Sequence, residues 1–141
     1  MDTILVHRLS NNAFIPKRGS VDAAGFDLFS SHNIVVNPGK WEVISTDIAL
    51  SFPDGFYGKI SGRSGLLKNF GVIAFHGTVD RDYRGNIKIL LLNTRNTSFN
   101  VRKGDRIAQI IPVAYFTGVI KEVDCLPNTE RQDGAFGSTG R

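Results

Sequence analysis

The sequence predicts an all-β domain, either a barrel or a sandwich. Three stretches place apolar residues at every second position, which is the spacing of a strand: "WEVISTDIALSF" from Trp41, "NIKILLL" from Asn86 and "RIAQIIPVAYF" from Arg106. Turn signals separate such stretches at short intervals, namely "NPGK" at Asn37, "PDG" at Pro53, "YRGN" at Tyr83 and "RKGD" at Arg102. Many short strands joined by regular turns are typical of all-β folds.

The individual strands differ in how deeply they are predicted to be buried. The second stretch carries Ile87, Ile89 and Leu91 on one face and then becomes apolar on both faces, as a strand covered on two sides does. The first stretch alternates less regularly, and its period-two positions are Trp41, Val43, Ile48, Leu50 and Phe52.

One segment favours a helix. In "GRSGLLKNFG" from Gly62, we expect Ser64 to cap the first turn of a short helix that covers residues 66–68 and stops before Gly71. Free N–H groups and the helix dipole at such a start favour an anion. Taken alone, the segment is equally well explained as a capped turn with a surface arginine.

Composition indicates one ordinary domain. The chain has 141 residues, of which 41% are hydrophobic and 21% charged. Its opening "MDTILVHRLSNN" has neither a signal-peptide core nor a membrane span, so we expect an intracellular protein, in the cytoplasm or the nucleus. Cys125 is the single cysteine, which excludes an internal disulfide and a thiolate zinc site. The three histidines lack ligand spacing, so no metal held directly by the protein is expected.

The net charge of +4 fits an anionic partner. The basic residues are dispersed, however, and no run alternates them with aromatic residues as a face for single-stranded nucleic acid does. We therefore expect no stable nucleic-acid binding.

The segment "GTVDRDYRGN" from Gly77 contains a candidate catalytic carboxylate. Strand alternation predicts that Asp80 and Asp82 point to the same side, ahead of a tight turn at residues 83–85. A carboxylate aimed into a pocket can hold and activate a water molecule. By itself, the segment is more typical of a charged hairpin turn.

The chain ends in "RQDGAFGSTGR" from Arg131, which is rich in glycine and contains one phenylalanine. Such a segment buries too little apolar surface to offset the entropy of ordering it. We expect it to be mobile until a ligand orders it.

Five motifs in order carry a resemblance to a known family. They are "AGFDLFS" at Ala24, "GRSGLL" at Gly62, "GTVDRDYRG" at Gly77, "GDRIAQIIP" at Gly104 and "RQDGAFGSTG" at Arg131. Together they resemble the motifs of the trimeric dUTP pyrophosphatase (dUTPase) family. The resemblance implies a distorted jelly-roll β-barrel over residues 1–125, one short helix after the second motif, and a flexible C-terminal arm over residues 126–141.

The resemblance also implies an activity. Such an enzyme hydrolyses dUTP to dUMP and pyrophosphate by attack of water on the α-phosphorus, with Mg²⁺ held mainly by the triphosphate. This limits uracil incorporation into DNA and supplies dUMP for thymidylate synthesis. Asp80 matches the family's water-activating aspartate. Tyr83 matches the aromatic residue that packs against the deoxyribose and excludes a 2′-hydroxyl, and Gly77 and Thr78 match the backbone that lines the uracil pocket.

Further residues match the family's phosphate-binding groups. Arg63, Ser64 and Gly65 match a segment at the start of the short helix, and Gln109 matches a glutamine near the phosphate chain. Asp27 matches an aspartate that acts on the metal through water and supports local structure, although a purely structural aspartate is an equally good interpretation.

The resemblance gives the C-terminal segment a role. It implies that Phe136 stacks on the uracil ring and that four residues grip the phosphates, namely Arg131, Gly137, Ser138 and Thr139. In the family this arm crosses to another subunit of a homotrimer, and each active site is built from three chains. No membrane partner is expected.

Four positions depart from the family pattern. Gly62 replaces a proline, Phe26 a tyrosine and Thr78 an aliphatic residue, whereas Arg81 lies beside Asp80 where an acidic or small polar residue is commoner. We expect Arg81 to point to solvent. Two rival interpretations are a related dCTP deaminase and a dUTPase-like trimer that has lost catalysis and acts as a binding or signalling module. The second would lose Asp80, Tyr83, Phe136 or Ser138, all of which are present.

Overall fold

The computed structural model describes residues 2–140, so the ends of the predicted domain ranges, Met1 and Arg141, lie outside the described residues. The described chain forms eleven strands and one helix: β1 (Leu5–Arg8), β2 (Phe26–Phe29), β3 (Ile34–Val36), β4 (Trp41–Ser45), β5 (Ile48–Ser51), β6 (Phe56–Ser61), α1 (Ser64–Phe70), β7 (Val72–Ala74), β8 (Gly77–Val79), β9 (Lys88–Asn93), β10 (Phe99–Val101) and β11 (Arg106–Ala114). The predicted all-β class is confirmed.

The strands pair antiparallel in four small sheets, in the orders β2-β11-β6-β8, β4-β9-β7, β1-β5 and β10-β3. These sheets form a jelly-roll-like barrel that encloses one apolar core. Its most deeply buried aliphatic side chains are Leu28, Val36, Ile44, Ile48, Val72, Ile87, Ile89, Leu91, Val101, Ile107 and Ile110. The predicted burial of the second apolar stretch is confirmed, because Ile87, Ile89 and Leu91 are all part of this core.

The turns follow from local sequence. At Pro53, the N–H of Phe56 donates to the Pro53 carbonyl at 3.2 Å, and Gly55 has a φ of 80°, which is a conformation that favours glycine. The turns predicted at Asn37 and Arg102 close with the same pattern of hydrogen bond, and each contains a glycine of positive φ.

The first predicted stretch is two strands, because the chain breaks at Asp47. This residue has a φ of 55°, which ends β4 and lets β5 leave in a new direction. In β4 the buried residue is Ile44, whereas Trp41 and Val43 are about half exposed on the outer face of the sheet.

The helix is present, but the predicted cap is wrong. Ser64 is the first helical residue, Arg63 occupies the N-cap position, and no side chain caps the helix there. The local pattern did not distinguish the two adjacent positions, because serine is common at either. The predicted end is confirmed, since Gly71 adopts a left-handed conformation with φ 64° and its N–H bonds to the last turn.

Regular structure ends at Ala114, and residues 115–140 contain neither strand nor helix. Their backbone follows the barrel surface only as far as Tyr115, whose N–H donates to the Gly55 carbonyl at 3.0 Å. Beyond it, apolar side chains such as Phe116, Ile120 and Leu126 are largely exposed, as is Cys125. The boundary between barrel and arm at residue 126 stays a prediction. Among the described residues, no helix has the length and apolarity needed to cross a bilayer.

Candidate active site

One end of the four-stranded sheet brings together the first group of predicted site residues. In β11, Gln109 lies opposite Asp27 of β2 on one side and opposite Ser61 of β6 on the other. Its side-chain Nε2 donates to the carbonyl of Gly62 at 3.2 Å. The register therefore fixes Gln109 between Asp27 and the residues that lead into α1.

Two guanidinium groups flank the Asp27 carboxylate at this end. Arg63 Nε lies 3.8 Å from one Asp27 oxygen, and Arg106 Nη1 lies 3.6 Å from the other. Two cations beside one anion leave a net positive charge, which suits a polyanion. Arg63 and Arg106 also line the wall of an adjoining cleft of about 660 Å³.

The start of α1 adds backbone donors to this cationic end. Ser64 and Gly65 form the first turn, in which backbone N–H groups have no partner inside the helix and no acidic side chain competes for them. At Gly65, a Cβ would meet nothing within 4 Å, so its backbone is open to an approaching group. The predicted residues Asp27, Arg63, Ser64, Gly65 and Gln109 thus share one end of the sheet.

The second group of predicted residues lies in β8 and in the turn that follows it. In the pairing of β8 with β6, Gly77 lies opposite Ile60 and Thr78 opposite Lys59. The strand ends at Val79, and the Tyr83 N–H then donates to the Asp80 carbonyl at 3.1 Å, which closes a turn. The prediction that strand alternation orients Asp80 and Asp82 is wrong, because both residues lie in this turn.

The turn nevertheless presents both carboxylates to one cleft. This cleft of about 550 Å³ is lined by Asp80 and Asp82 together with Tyr57, Thr78, Arg81 and Tyr115. The rings of Tyr57 and Tyr115 meet edge to face, with centroids 6.1 Å apart. The guanidinium of Arg81 forms an ion pair with Asp54, so this cation has a carboxylate partner other than Asp80 while remaining 44% exposed.

Tyr83 forms a hydrogen bond within the loop that connects β8 to β9. Its hydroxyl donates to the Asn86 carbonyl at 3.0 Å, and about half of the side chain is exposed. A Cβ at Gly85 would lie 2.3 Å from the Tyr83 hydroxyl oxygen, so a larger residue there would displace the ring from its present position. The loop therefore holds the tyrosine in one place.

Asp47 forms a hydrogen bond with Asn86 of this loop, and its surroundings shift the pKa of its carboxyl. Burial alone would raise the pKa of its carboxyl, but hydrogen bonds with Ser10, Asn86 and Ser31 and the charge of nearby His32 outweigh burial and lower that pKa. The carboxylate is thus stabilised in its ionised form.

The two groups of site residues lie at opposite ends of β6. Asp80 continues β8 and shares its cleft with Tyr57 near the start of β6, whereas Arg63 follows the end of that strand. Arg63 lies six positions beyond Tyr57, which at about 3.3 Å per residue corresponds to roughly 20 Å of extended chain. Asp80 and Arg63 accordingly line different clefts of the chain.

The predicted arm residues meet neither group within the described chain. Phe136 is fully exposed, with a φ of 50°. The hydrogen bonds of this segment are local: Arg131 Nε donates to the Gly134 carbonyl at 2.6 Å, and the Ser138 N–H donates to the Ala135 carbonyl at 3.1 Å. Gly137 and Thr139 lie in the same series of turns.

Sequence reasoning did not single out Arg106, Tyr57 or Tyr115. A signal for Arg106 was available, since it lies three residues before Gln109 in the same motif. The two tyrosines carried no such signal, because their place in the cleft depends on the pairing of β6 with β11.

Comparison with known proteins identifies the family. A family model described as dUTPase matches residues 11–140. The deoxyuridine 5'-triphosphate nucleotidohydrolase of Swinepox virus (strain Kasza) is 45% identical over 133 residues, which are 94% of each chain. The mitochondrial enzyme of that name from Homo sapiens is also 45% identical, over 134 residues. This chain spans 53% of the human relative's length.

Solved structures show the same fold. The dUTPase of Staphylococcus bacteriophage 80alpha with dUPNHPP superposes with a TM-score of 0.89, 30% identity and 99% coverage of both chains. A mutant dUTPase from phage phi11 of S. aureus, described with a structural Mg(II) ion, has a TM-score of 0.81, 29% identity, and coverage of 86% of this chain and 97% of its own. The chain, with its five ordered motifs and its jelly-roll-like barrel, belongs to the dUTPase family.

Proposed function

We propose that this protein hydrolyses dUTP to dUMP and pyrophosphate as a homotrimer whose active sites are shared between chains. The observation that carries the proposal is the dUTPase family match over residues 11–140, within which the Asp80–Tyr83 turn is intact. An intracellular location is part of the proposal, because the substrate is a nucleotide used in DNA synthesis.

The uracil base is read by the backbone of β8. This strand lies at the edge of its sheet and pairs with β6 alone, so its other side has N–H and C=O groups free for a ligand. Gly77 and Thr78 supply these groups. Cytosine presents a donor where uracil presents an acceptor, and a buried mismatch of that kind is rejected strongly.

Tyr83 selects the sugar and Asp80 activates the water. The Tyr83 ring, fixed by its bond to the Asn86 carbonyl, fills the space that a 2′-hydroxyl would need. Asp80 lies at the start of the same turn and lines the open cleft. From there its carboxylate accepts the proton of the water that attacks the α-phosphorus.

The phosphates bind at the cationic end of the sheet in a neighbouring chain. Arg63 and the first-turn N–H groups of Ser64 and Gly65 neutralise the polyanion, and Gln109 adds a side-chain amide. Because Asp80 and Arg63 of one chain are about 20 Å apart along β6, a bound nucleotide contacts both only if they come from different chains. This separation supports the trimer.

Magnesium enters as part of the substrate. Within residues 2–140, no group of three or more His, Cys, Asp and Glu side chains could hold a metal ion. Both Asp27 oxygens face guanidinium groups, so this carboxylate offers no free metal site of its own. The substrate is therefore the Mg²⁺ complex of dUTP, which Asp27 reaches through water.

The arm closes the site. Arg131, Gly137, Ser138 and Thr139 bind the phosphates while Phe136 stacks on the uracil ring. The fully exposed Phe136 and the local hydrogen bonds of the segment support this role, because little must be broken when the arm moves.

The decisive experiment measures pyrophosphate release from dUTP, dCTP, dTTP and UTP, with and without Mg²⁺. We expect release from dUTP alone and only with Mg²⁺. The matched control is Asp80→Asn, which keeps the shape of the side chain and is expected to bind dUTP without cleaving it. No release from dUTP by the trimeric wild-type protein, or equal release from all four nucleotides, would refute the proposal.

A further inference from the structure

The break between β4 and β5 is joined to the loop that carries Tyr83 by a reciprocal pair of hydrogen bonds. The Asp47 N–H donates to Asn86 Oδ1 at 3.0 Å, and Asn86 Nδ2 donates to Asp47 Oδ1 at 3.1 Å. These residues are distant in sequence, so the pair ties two separate segments together. We refer to Asp47 and Asn86 as the clamp.

The clamp is connected to Tyr83 through the backbone carbonyl of Asn86. Asn86 uses its side chain for Asp47 and its backbone carbonyl for the Tyr83 hydroxyl. The ring lies directly against Gly85, where an added Cβ would meet the hydroxyl end of the tyrosine. The position of the ring is therefore set by the position of Asn86.

The clamp is itself fixed on the barrel side. Ser10 Oγ donates to Asp47 Oδ2 at 2.7 Å, and the Leu9 N–H donates to the Asp47 carbonyl at 2.8 Å. Asp47 is buried and holds a φ of 55°, a conformation that aspartate and asparagine tolerate better than most residues. Neither its backbone nor its carboxylate is free to follow a moving loop.

We propose that Asp47 and Asn86 are positioning residues for sugar discrimination: they hold the Tyr83 ring where it blocks a 2′-hydroxyl. The inference deepens the proposed function and rests on it. A ribonucleotide differs from its deoxy counterpart here by one oxygen atom, so a ring displaced by about 1 Å would admit it. A clamp between rigid strands prevents that displacement.

The side chains of the clamp can be exchanged, which gives a sharp test. Asn86→Asp places two carboxylates together and removes the donated hydrogen bond, so it should release the loop. The double variant Asp47→Asn with Asn86→Asp restores one amide donating to one carboxylate, and residue 47 keeps an oxygen for Ser10. We expect Asn86→Asp to lower the ratio of kcat/KM for dUTP to that for UTP roughly tenfold. The double variant should recover most of the wild-type ratio.

The ratio separates positioning from stability. A variant that merely unfolds in part loses activity on both nucleotides equally, so the ratio stays constant. Thr94→Val is the matched control, because it removes a part-buried hydrogen bond, from Thr94 Oγ1 to the Gly71 carbonyl, that involves neither Asp47 nor Asn86. It should lower the melting temperature and leave the ratio unchanged. If Asn86→Asp fails to fold, Asn86→Ala removes both side-chain bonds without adding charge.

An unchanged dUTP to UTP ratio in a folded Asn86→Asp or Asn86→Ala variant would overturn the inference, as would a double variant no better than Asn86→Asp alone. Hydrogen exchange provides a readout that needs no turnover. Amides of residues 80–86 should exchange faster in Asn86→Asp and return toward wild-type rates in the double variant. If the wild-type protein leaves dUTP uncleaved, the proposed function fails while the exchange measurement still reports on the clamp.

Discussion

At the scale of single residues, the charge of Asp47 is tied to the folded state. The pKa of its carboxyl lies below the ordinary 3.8 because, although burial alone would raise it, hydrogen bonds with Ser10 and Asn86 outweigh burial. A carboxyl with a lowered pKa in the folded state stabilises that state above its unfolded pKa, and this stabilisation is lost as pH falls through the folded value.

We therefore expect the difference in free energy of unfolding between wild type and Asp47→Asn to depend on pH. At pH 7 the substitution should cost about 1 to 2 kcal/mol, because it removes hydrogen bonds to a charged acceptor. Below the unfolded pKa the difference should shrink, as the wild-type carboxyl also becomes neutral. Denaturant titrations at fixed protein concentration between pH 7 and pH 3 test this. A difference that stays constant over this range would show that the Asp47 charge contributes nothing.

At the scale of elements, the C-terminal arm is separable from the barrel. Its described residues beyond Tyr115 bond locally, and its apolar side chains are largely exposed. Deleting residues 131–141 should therefore leave the melting temperature nearly unchanged and reduce kcat/KM for dUTP by roughly a hundredfold or more, because the arm that we propose closes the site is lost. The measurement compares the melting curve and steady-state rates of the truncated and full chains. Wild-type rates in the truncated chain would remove the arm from the mechanism.

Among the elements, the sequence predicts the regular strands and the proline- or glycine-containing turns well. Alternating apolar residues predicted β9 and β11, and the turns at Pro53 and Arg102 were visible because proline and glycine restrict backbone geometry in known ways. The break at Asp47 was not visible, since the residue's unusual φ is maintained by partners distant in sequence.

The sequence predicted which residues form the candidate site, but it did not predict how the fold arranges them. The motifs indicated Asp80, Arg63 and Gln109, and the segment was typical of a turn, yet no local pattern revealed that the turn begins at Asp80. The ion pair of Arg81 with Asp54 was equally hidden, because it joins the turn after β8 to the turn between β5 and β6, which is distant in sequence. Such details depend on the register of the sheet, which is a property of the folded chain.

At the scale of the whole molecule, the separation of Asp80 from Arg63 makes a prediction about mixed assemblies. Asp80→Asn and Arg63→Ala should each be almost inactive as pure trimers. If the two variants are unfolded together in equal amounts and refolded, some sites will combine an intact Asp80 from one chain with an intact Arg63 from another. Random assembly should restore about one quarter of wild-type activity.

The control for this experiment is to mix the two variants without unfolding, which should restore nothing while the trimers stay intact. Refolded mixtures as inactive as the parent variants, with trimer assembly verified by mass, would show that each chain carries a complete site.

The position of β8 at the edge of its sheet affects how well its proposed base-recognition surface tolerates mutation. Every amino acid except proline supplies the same main-chain donor and acceptor, so a recognition surface made of backbone is insensitive to most single-codon changes. A threonine at position 78 in place of an aliphatic residue leaves this bonding edge as it was and changes only a side chain that lines the Asp80 cleft. Base selectivity can thus outlast extensive sequence drift in this strand.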